Sequence, residues 1–585
     1  MKNFVKTNYL FIIIFVLFLV IRIINFSNWL WYESFSEVAW ISELISIKDC
    51  LFANTFPHFP LSFILYKIWA LFMWGTIIWV KTMHLILNIL TFFLVYKTAL
   101  LFYKDKKVAN WSILLYTISF YAYAWNTMWI DQDLALNPLL FILSLYLYKK
   151  LDLTKFANII LLWLSCALLS SSRLILWVIV IWIIFIDIVI NKIFILKDFK
   201  FKSILKATWY FFEIFISYLV ITVWLIYLMY LIFPDSVLAE LVTYKKLFTW
   251  NSWYEWVTLL TRMSFLWQVF LYVSPLILAI IFLFKNFRKH QILLISTIIM
   301  IFYMLMWTSW WDPARWMMPI LPILVILWWC LCVEYVNKKN RYRIILPSIL
   351  LIWLNYFLLD YSNLPLNVSD YLSDPLNKVF ILTTSVFSPI YLNSKLVFLT
   401  VWLTVILFWF ALISKKKIYK SIFIIFALWV NLFFVYTDIF QIKQPNISSI
   451  SKEIRNFCLN NCSIDDKIYS DSITKHQPVF SLWDKYIWNY FSYKLDENVV
   501  EINYNLHKNP ILLSWTNLFS QNYPALDYID IINNNWSGFV FFTHYFGNNK
   551  EESVLSNNWC RTLKIFTWNV HEVYWIVYSC DFYIN

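Results

Sequence analysis

Apolar residues in this chain come in long runs broken by short polar turns. Within a run they are spread around all sides of a helix and do not alternate with period two, which is the pattern of helices buried or lipid-facing on every side. The pattern predicts spans over 9–26, 80–102, 108–123, 134–148, 156–171, 174–190, 208–233, 265–284, 292–307, 317–336, 344–359, 396–413 and 421–436. Several fall short of the ~20 residues that a straight span needs. A further stretch, 60–74, reads as a short embedded or interfacial helix. The first run follows Lys2 and Lys6, as a signal peptide would, but it lacks a small-residue cleavage site and many spans follow it, so it reads as a retained helix. Beyond about residue 438 the chain turns polar and Asn-rich, with strand-forming runs at 466–470, 539–543 and 572–578. The expected fold class is an α-helical polytopic membrane protein of about 13 transmembrane helices over 1–440, carrying a C-terminal soluble α/β domain over 441–585. No period of 20–50 residues marks a repeat array.

Composition agrees. The chain is 61% hydrophobic and 14% charged, with mean hydropathy +0.65, whereas soluble domains carry about 25% charge. The net charge of +13 does not point to nucleic acid, because Lys and Arg gather in the turns between spans. With the N-terminus inside, the internal turns are 104–107, 149–155, 192–206, 285–289, 338–343 and 415–420, and every one is basic. External turns carry few Lys or Arg, which is the positive-inside asymmetry. It places the loop 27–60, the loops 234–263 and 361–395, and the C-terminal domain on the outer side of the cytoplasmic (inner) membrane.

One count is abnormal. The chain has 3 Gly and 35 Trp, which together approach the roughly 40 glycines of an average chain this long. Asn-Trp steps stand at Asn28-Trp29, Asn110-Trp111, Asn535-Trp536 and Asn558-Trp559, where Asn-Gly would signal a turn. Pairs at Trp310-Trp311 and Trp328-Trp329 would be ordinary as glycines. The expectation is that many of these Trp are UGA codons read as glycine by the source organism. The competing reading is a Trp-rich protein with interfacial belts.

Four of the eight Cys, Cys458, Cys462, Cys560 and Cys580, fall in the C-terminal domain. In an oxidising compartment they suggest two disulfides, Cys458–Cys462 and Cys560–Cys580. A zinc site is the other reading, though only one close pair is present.

The candidate chemistry centres on 31–61, WYESFSEVAWISELISIKDCLFANTFPHFPL. It follows the first span, is too polar to cross, carries Glu33, Glu37, Glu43 and Asp49, and closes on His58-Phe59-Pro60-Leu61. This loop resembles that of the GT-C class of membrane glycosyltransferases, and most of all the protein O-mannosyltransferase and aminoarabinose-transferase group. There the loop opens on an Asp-Glu pair and closes on His-Pro-Pro-Leu or Lys-Pro-Pro-Leu. Glu33 stands at the second acid and Tyr32 at the Asp; His58, Pro60 and Leu61 match, with Phe59 at the first Pro. A second resemblance lies at 312–322, DPARWMMPILP, where the group has an Arg-aromatic-x-x-Pro-x-x-Pro step entering a late span. Arg315, Pro319 and Pro322 fit it, with Trp316 at the aromatic position. The resemblance covers about residues 1–335.

It implies a transferase that takes a sugar from a polyprenyl-phosphate donor and passes it to a protein, lipid or glycan acceptor at the outer face. Such chemistry needs a carboxylate to take the acceptor proton and cations to hold the leaving phosphate. Glu33 leads as the base, with Glu37 one helical turn on. Asp131 and Asp133 lie in the next external turn, where the resemblance places an Asp after an aromatic-rich span; a divalent metal or an acceptor hydroxyl are both open there. Arg315 suits a phosphate through its bidentate fork, and Asp312 precedes it. Arg173 and Arg262 also fall at external ends, where snorkelling would equally explain a lone Arg. His58 could orient a carboxylate or bind metal, or serve the loop structurally. No Walker motif, nucleotide-binding glycine loop or HExxH is present, in keeping with a lipid-phosphate donor. The readings from other classes are a non-catalytic flippase or transporter of lipid-linked glycans, and an inactive transferase relative. A transporter would bury its charges mid-span, whereas here they cluster at the outer ends.

Overall fold

Short basic turns leave successive apolar helices no choice but to run antiparallel. The computed structural model describes residues 2–23, 77–119, 132–194, 201–232, 274–307, 315–336, 394–414, 416–440, 468–471, 499–502, 538–544, 560–568 and 573–580, with single positions at Leu61, Leu65, Trp69, Leu238 and Leu241. Its helices are α1 (Lys2–Ile23), α2 (Ile77–Tyr103), α3 (Lys106–Thr117), α4 (Gln132–Lys150), α5 (Phe156–Ser172), α6 (Leu174–Phe194), α7 (Phe201–Ile232), α8 (Leu276–Ala279), α9 (Phe287–Trp307), α10 (Leu321–Tyr335), α11 (Ser394–Ile413) and α12 (Lys417–Phe440). Most stand where the apolar runs predicted them; within 265–284 the described part is the short α8 followed by a 3-10 stretch, Ile280–Asn286, and 60–74 is described only at Leu61, Leu65 and Trp69. The run 344–359 lies outside the described residues. Two described stretches, Thr82–Tyr103 and Met317–Tyr335, are long and apolar enough by themselves to cross a bilayer.

Local chemistry explains where helices depart from the simple pattern. The helix expected over 108–123 stops at Thr117, where Ile118 turns its N–H back to Leu114 and Tyr116 carbonyls. The run entering at 315 starts as a 3-10 turn, Arg315–Ile320, before α10. Pro319 and Pro322 supply no N–H, so they suit only a helix start. At the α2–α3 turn Lys104 takes φ 52°, closing α2 with its N–H on the Leu100 carbonyl at 2.9 Å. Asp105 then caps α3 by accepting from the Lys107 N–H at 2.8 Å. At the α4–α5 turn the Thr154 hydroxyl and N–H both donate to Asp152 and hold its carboxyl below the usual carboxylate range.

Polar contacts gather the basic turns at one end of the bundle. Tyr148 on α4, Asn191 on α6 and Gln291 on α9 all donate to the buried Asp187 carboxylate on α6, at 2.9, 3.0 and 2.7 Å. Tyr103 at the end of α2 meets His290 Nδ1 at 2.6 Å. Asn286 donates to Glu334 on α10 at 2.8 Å, and Lys420 on α12 lies over the Phe282 and Tyr335 rings. Helix ends tied in this way bring 104–107, 149–155, 285–289 and 416–420 together. The opposite end of the bundle is the mouth: it holds the ends of α1, α3, α5 and α7 and the beginnings of α4, α6 and α10.

Between the two ends the core is apolar and aromatic. Phe11, Phe15 and Phe18 of α1 meet Phe92 and Phe93 of α2, with centroids 4.8–5.8 Å apart. Lipid tails match such side chains in polarity, so close packing and polar contacts hold helices together. Ser144 of α4 and Ser165 of α5 meet at 3.2 Å. Trp111 of α3 and Trp329 of α10 stack at 4.8 Å and 13°. One side of α7 presents Trp209, Ile216, Val220, Val223, Trp224 and Leu231 outward, a surface suited to a bilayer.

Five strands lie in the C-terminal region: β1 (Ile468–Asp471), β2 (Val499–Ile502), β3 (Gly538–His544), β4 (Cys560–Trp568) and β5 (Val573–Cys580). The sheet order is β2-β1-β3-β5-β4. β2, β1 and β3 pair in parallel, while β5 is antiparallel to both β3 and β4. The three runs expected to be strands fall on β1, β3 and β5. Parallel pairs need long crossovers, and 472–498 and 503–537, outside the described residues, are long enough to supply them. The α half of the expected α/β domain is likewise outside them.

Register bears on one cysteine pair. Cys560 and Cys580 are directly opposite each other on β4 and β5. Opposite residues of an antiparallel pair have Cα atoms about 4.5–5.5 Å apart, within disulfide range. Peptide mapping of unreduced protein is expected to recover them as one linked pair. Recovery of both as free thiols would remove the bridge. Cys458 and Cys462 lie outside the described residues.

Candidate functional site

The mouth is built by elements that converge from distant parts of the chain. α4 packs against the 3-10 turn Arg315–Ile320, and α5 packs against both α4 and α6. Leu61, the last residue of the closing step of the first loop, packs beside Met229 near the end of α7. Arg22 near the end of α1 reaches the end of α3, donating to the Thr117 carbonyl at 3.1 Å and the Tyr116 carbonyl at 3.5 Å.

Three of the residues expected in the site stand on described backbone here. Asp133 is the second residue of α4, and Arg315 is the first of the 3-10 turn that α4 contacts. The chain therefore brings an acid and a base, far apart in sequence, to neighbouring elements at one end. Arg173 occupies the α5–α6 junction in extended backbone, φ −153° and ψ 107°. Its N–H donates to Leu169 at 2.8 Å, its carbonyl accepts from Leu176 at 3.1 Å, and the residue is only 8% exposed. A snorkelling Arg would reach into water, so burial favours an engaged guanidinium over a solvated one. Glu33, Glu37, His58, Asp131, Arg262 and Asp312 lie outside the described residues.

Two polar groups at the mouth were not anticipated. Ser170, Ser171 and Ser172 form a fully buried run leading into Arg173. The hydroxyls of Ser170 and Ser171 both donate to the Ala167 carbonyl, at 2.6 and 2.8 Å. The second is Arg22, 1% exposed. Its signal was in the sequence: an ionisable residue inside an apolar run is rarely idle. The same reading finds Asp187 at the basic end. Among the described residues no three His, Cys, Asp or Glu come together as a metal site.

No protein-family model matches the chain, and no curated protein matches it. Solved structures do. ArnT from Cupriavidus metallidurans bound to undecaprenyl phosphate superposes with TM-score 0.59 at 10% identity, covering 97% of this chain and 98% of that one. The same protein in the apo state gives TM-score 0.56 at 9% identity, over 99% and 98%. The chain thus shares the fold of these ArnT structures over nearly its whole length.

Proposed function

We propose that this chain is an integral-membrane GT-C glycosyltransferase that moves a sugar from a polyprenyl-phosphate donor to an acceptor at the mouth of the helix bundle. The observation that carries the reading is the ArnT fold over nearly the whole chain, from a structure that holds undecaprenyl phosphate. The placement of Asp133, Arg173 and Arg315 supports it. About 13 crossings and the basic turns inside would set the mouth, and the C-terminal domain, on the outer face of the cytoplasmic membrane.

In this reading the donor's lipid tail lies in the bilayer and its phosphate meets Arg315, with Arg173 and Arg262 as further cations. A guanidinium pairs with phosphate through two parallel hydrogen bonds and steadies the charge that grows on the leaving group. Glu33 takes the proton from the acceptor hydroxyl as it attacks the sugar's anomeric carbon. Glu37, Asp131 and Asp133 complete the acidic side, where a divalent metal would find its oxygen ligands. His58 orients a carboxylate, and Asp312 lies beside the phosphate-binding Arg315 in sequence. The acceptor is a protein, lipid or glycan hydroxyl.

Purified protein in detergent or nanodiscs, given a labelled polyprenyl-phosphate sugar and a membrane extract as acceptor, is expected to move label off the lipid. Label that crosses a vesicle bilayer without leaving the lipid would instead establish a flippase.

A further inference from the structure

A single guanidinium ties the end of α1 to the end of α3, the two helices that precede the candidate acids in sequence. Arg22 lies eleven residues before Glu33 and reaches Thr117, fourteen residues before Asp131. Its guanidinium carbon sits 4.0 Å from the centre of the Phe18 ring and 5.7 Å from that of Tyr116. Tyr116 in turn donates from its hydroxyl to Asn88 Oδ1 on α2 at 3.1 Å, and Asn88 donates to the His84 carbonyl at 3.0 Å. α1, α2 and α3 are thus knotted close to the mouth.

Of the last carbonyls of α3, the one at Thr117 is met by this cation. Ile118 N–H already returns to the Leu114 and Tyr116 carbonyls, and the Ser119 N–H approaches the Tyr116 carbonyl at 3.4 Å. A buried charge is costly in an apolar bundle, and a leucine would avoid that cost only by leaving the Thr117 carbonyl without this donor. What the arginine adds is a charge-assisted link from α1 to the negative end of the α3 dipole, held between two aromatic faces.

We propose that Arg22 is a positioning residue for sugar transfer. It fixes the spacing between the ends of α1 and α3 at the mouth. This rests on the transferase reading above, and the test separates the two.

Spin labels at Ile23→Cys and Ile118→Cys, in a background lacking other reactive thiols, report the spacing by dipolar broadening without any need for activity. Arg22→Leu is expected to weaken and spread that broadening, with Arg22→Lys intermediate. At saturating donor, turnover in Arg22→Leu should fall by about 10- to 10²-fold, the scale of a small misplacement of reacting groups, while donor KM holds. Arg22→Lys should restore part of it. If Arg22→Leu does not fold, Arg22→Lys and Phe18→Leu, which removes one aromatic face and leaves the charge, are expected to move spacing and turnover together. Unchanged spacing in these variants overturns the tether, and changed spacing with full turnover overturns its role in catalysis. A parent chain that transfers no sugar overturns the transferase reading, and the labels then decide the tether alone.

Discussion

Glu33→Gln is expected to lower turnover by about 10²–10⁴, the range lost when a general base is removed. The amide keeps the shape of the side chain and gives up only its ability to take a proton. Donor binding should change little, because in the proposed mechanism the carboxylate acts on the acceptor. Arg315→Ala should show the opposite profile: weaker donor binding, with slower transfer alongside, because a charge-assisted phosphate contact is gone. Arg315→Lys should recover part of the loss, since a point charge cannot reproduce a two-pronged contact. Turnover and donor KM, measured on all three with a labelled polyprenyl-phosphate sugar, separate the roles. If Glu37→Gln or Asp131→Asn loses turnover while Glu33→Gln keeps it, the base is one of those acids. Full activity in every carboxylate variant would take them all out of the mechanism.

The second large effect concerns Trp111 and Trp329. Their indoles stack where α3 crosses α10, and Trp328 beside them buries an indole N–H that meets no acceptor among the described residues. In an ordinary protein, truncating a buried Trp costs about 3–5 kcal/mol. If UGA is read as glycine in the source, the native helices meet at these positions through two small residues, the arrangement that close helix packing in membranes favours. Replacing Trp111→Gly and Trp329→Gly together is then expected to raise the melting temperature and the yield of folded protein. A loss of several kcal/mol would show that the indoles belong there. The intact mass of protein from the native source gives an independent answer, because each glycine lightens the chain by a whole indole side chain. A mass matching 70.9 kDa would settle for tryptophan throughout.

The helices were legible because a membrane span needs little beyond length and apolarity. The gathering of 104–107, 149–155 and 285–289 was legible through charge, and the Tyr148–Asp187–Gln291 contacts are its physical form. β1, β3 and β5 were visible as short strand-forming runs; β2 (VVEI) and β4, whose Arg561, Thr562 and Lys564 break its pattern, were not. The shortfall of α3 at Thr117 was also hidden, because the residues that follow are as apolar as those before. Within the site, Arg315 drew notice through the prolines around it. Arg22 was visible as an ionisable residue inside an apolar run, but its partner is a carbonyl 95 positions away, which no local pattern can display.

The sheet has one further implication, which concerns synthesis. β5 is made after β3 and β4, yet it lies between them, hydrogen-bonded to both. Until residues 573–580 leave the ribosome, those two earlier strands face each other across a gap with bare edges, and exposed edges invite pairing with other chains. A nascent chain halted anywhere before this point is therefore a sticky one. A premature stop within 573–580 should yield aggregate, even though the other four strands have already been built.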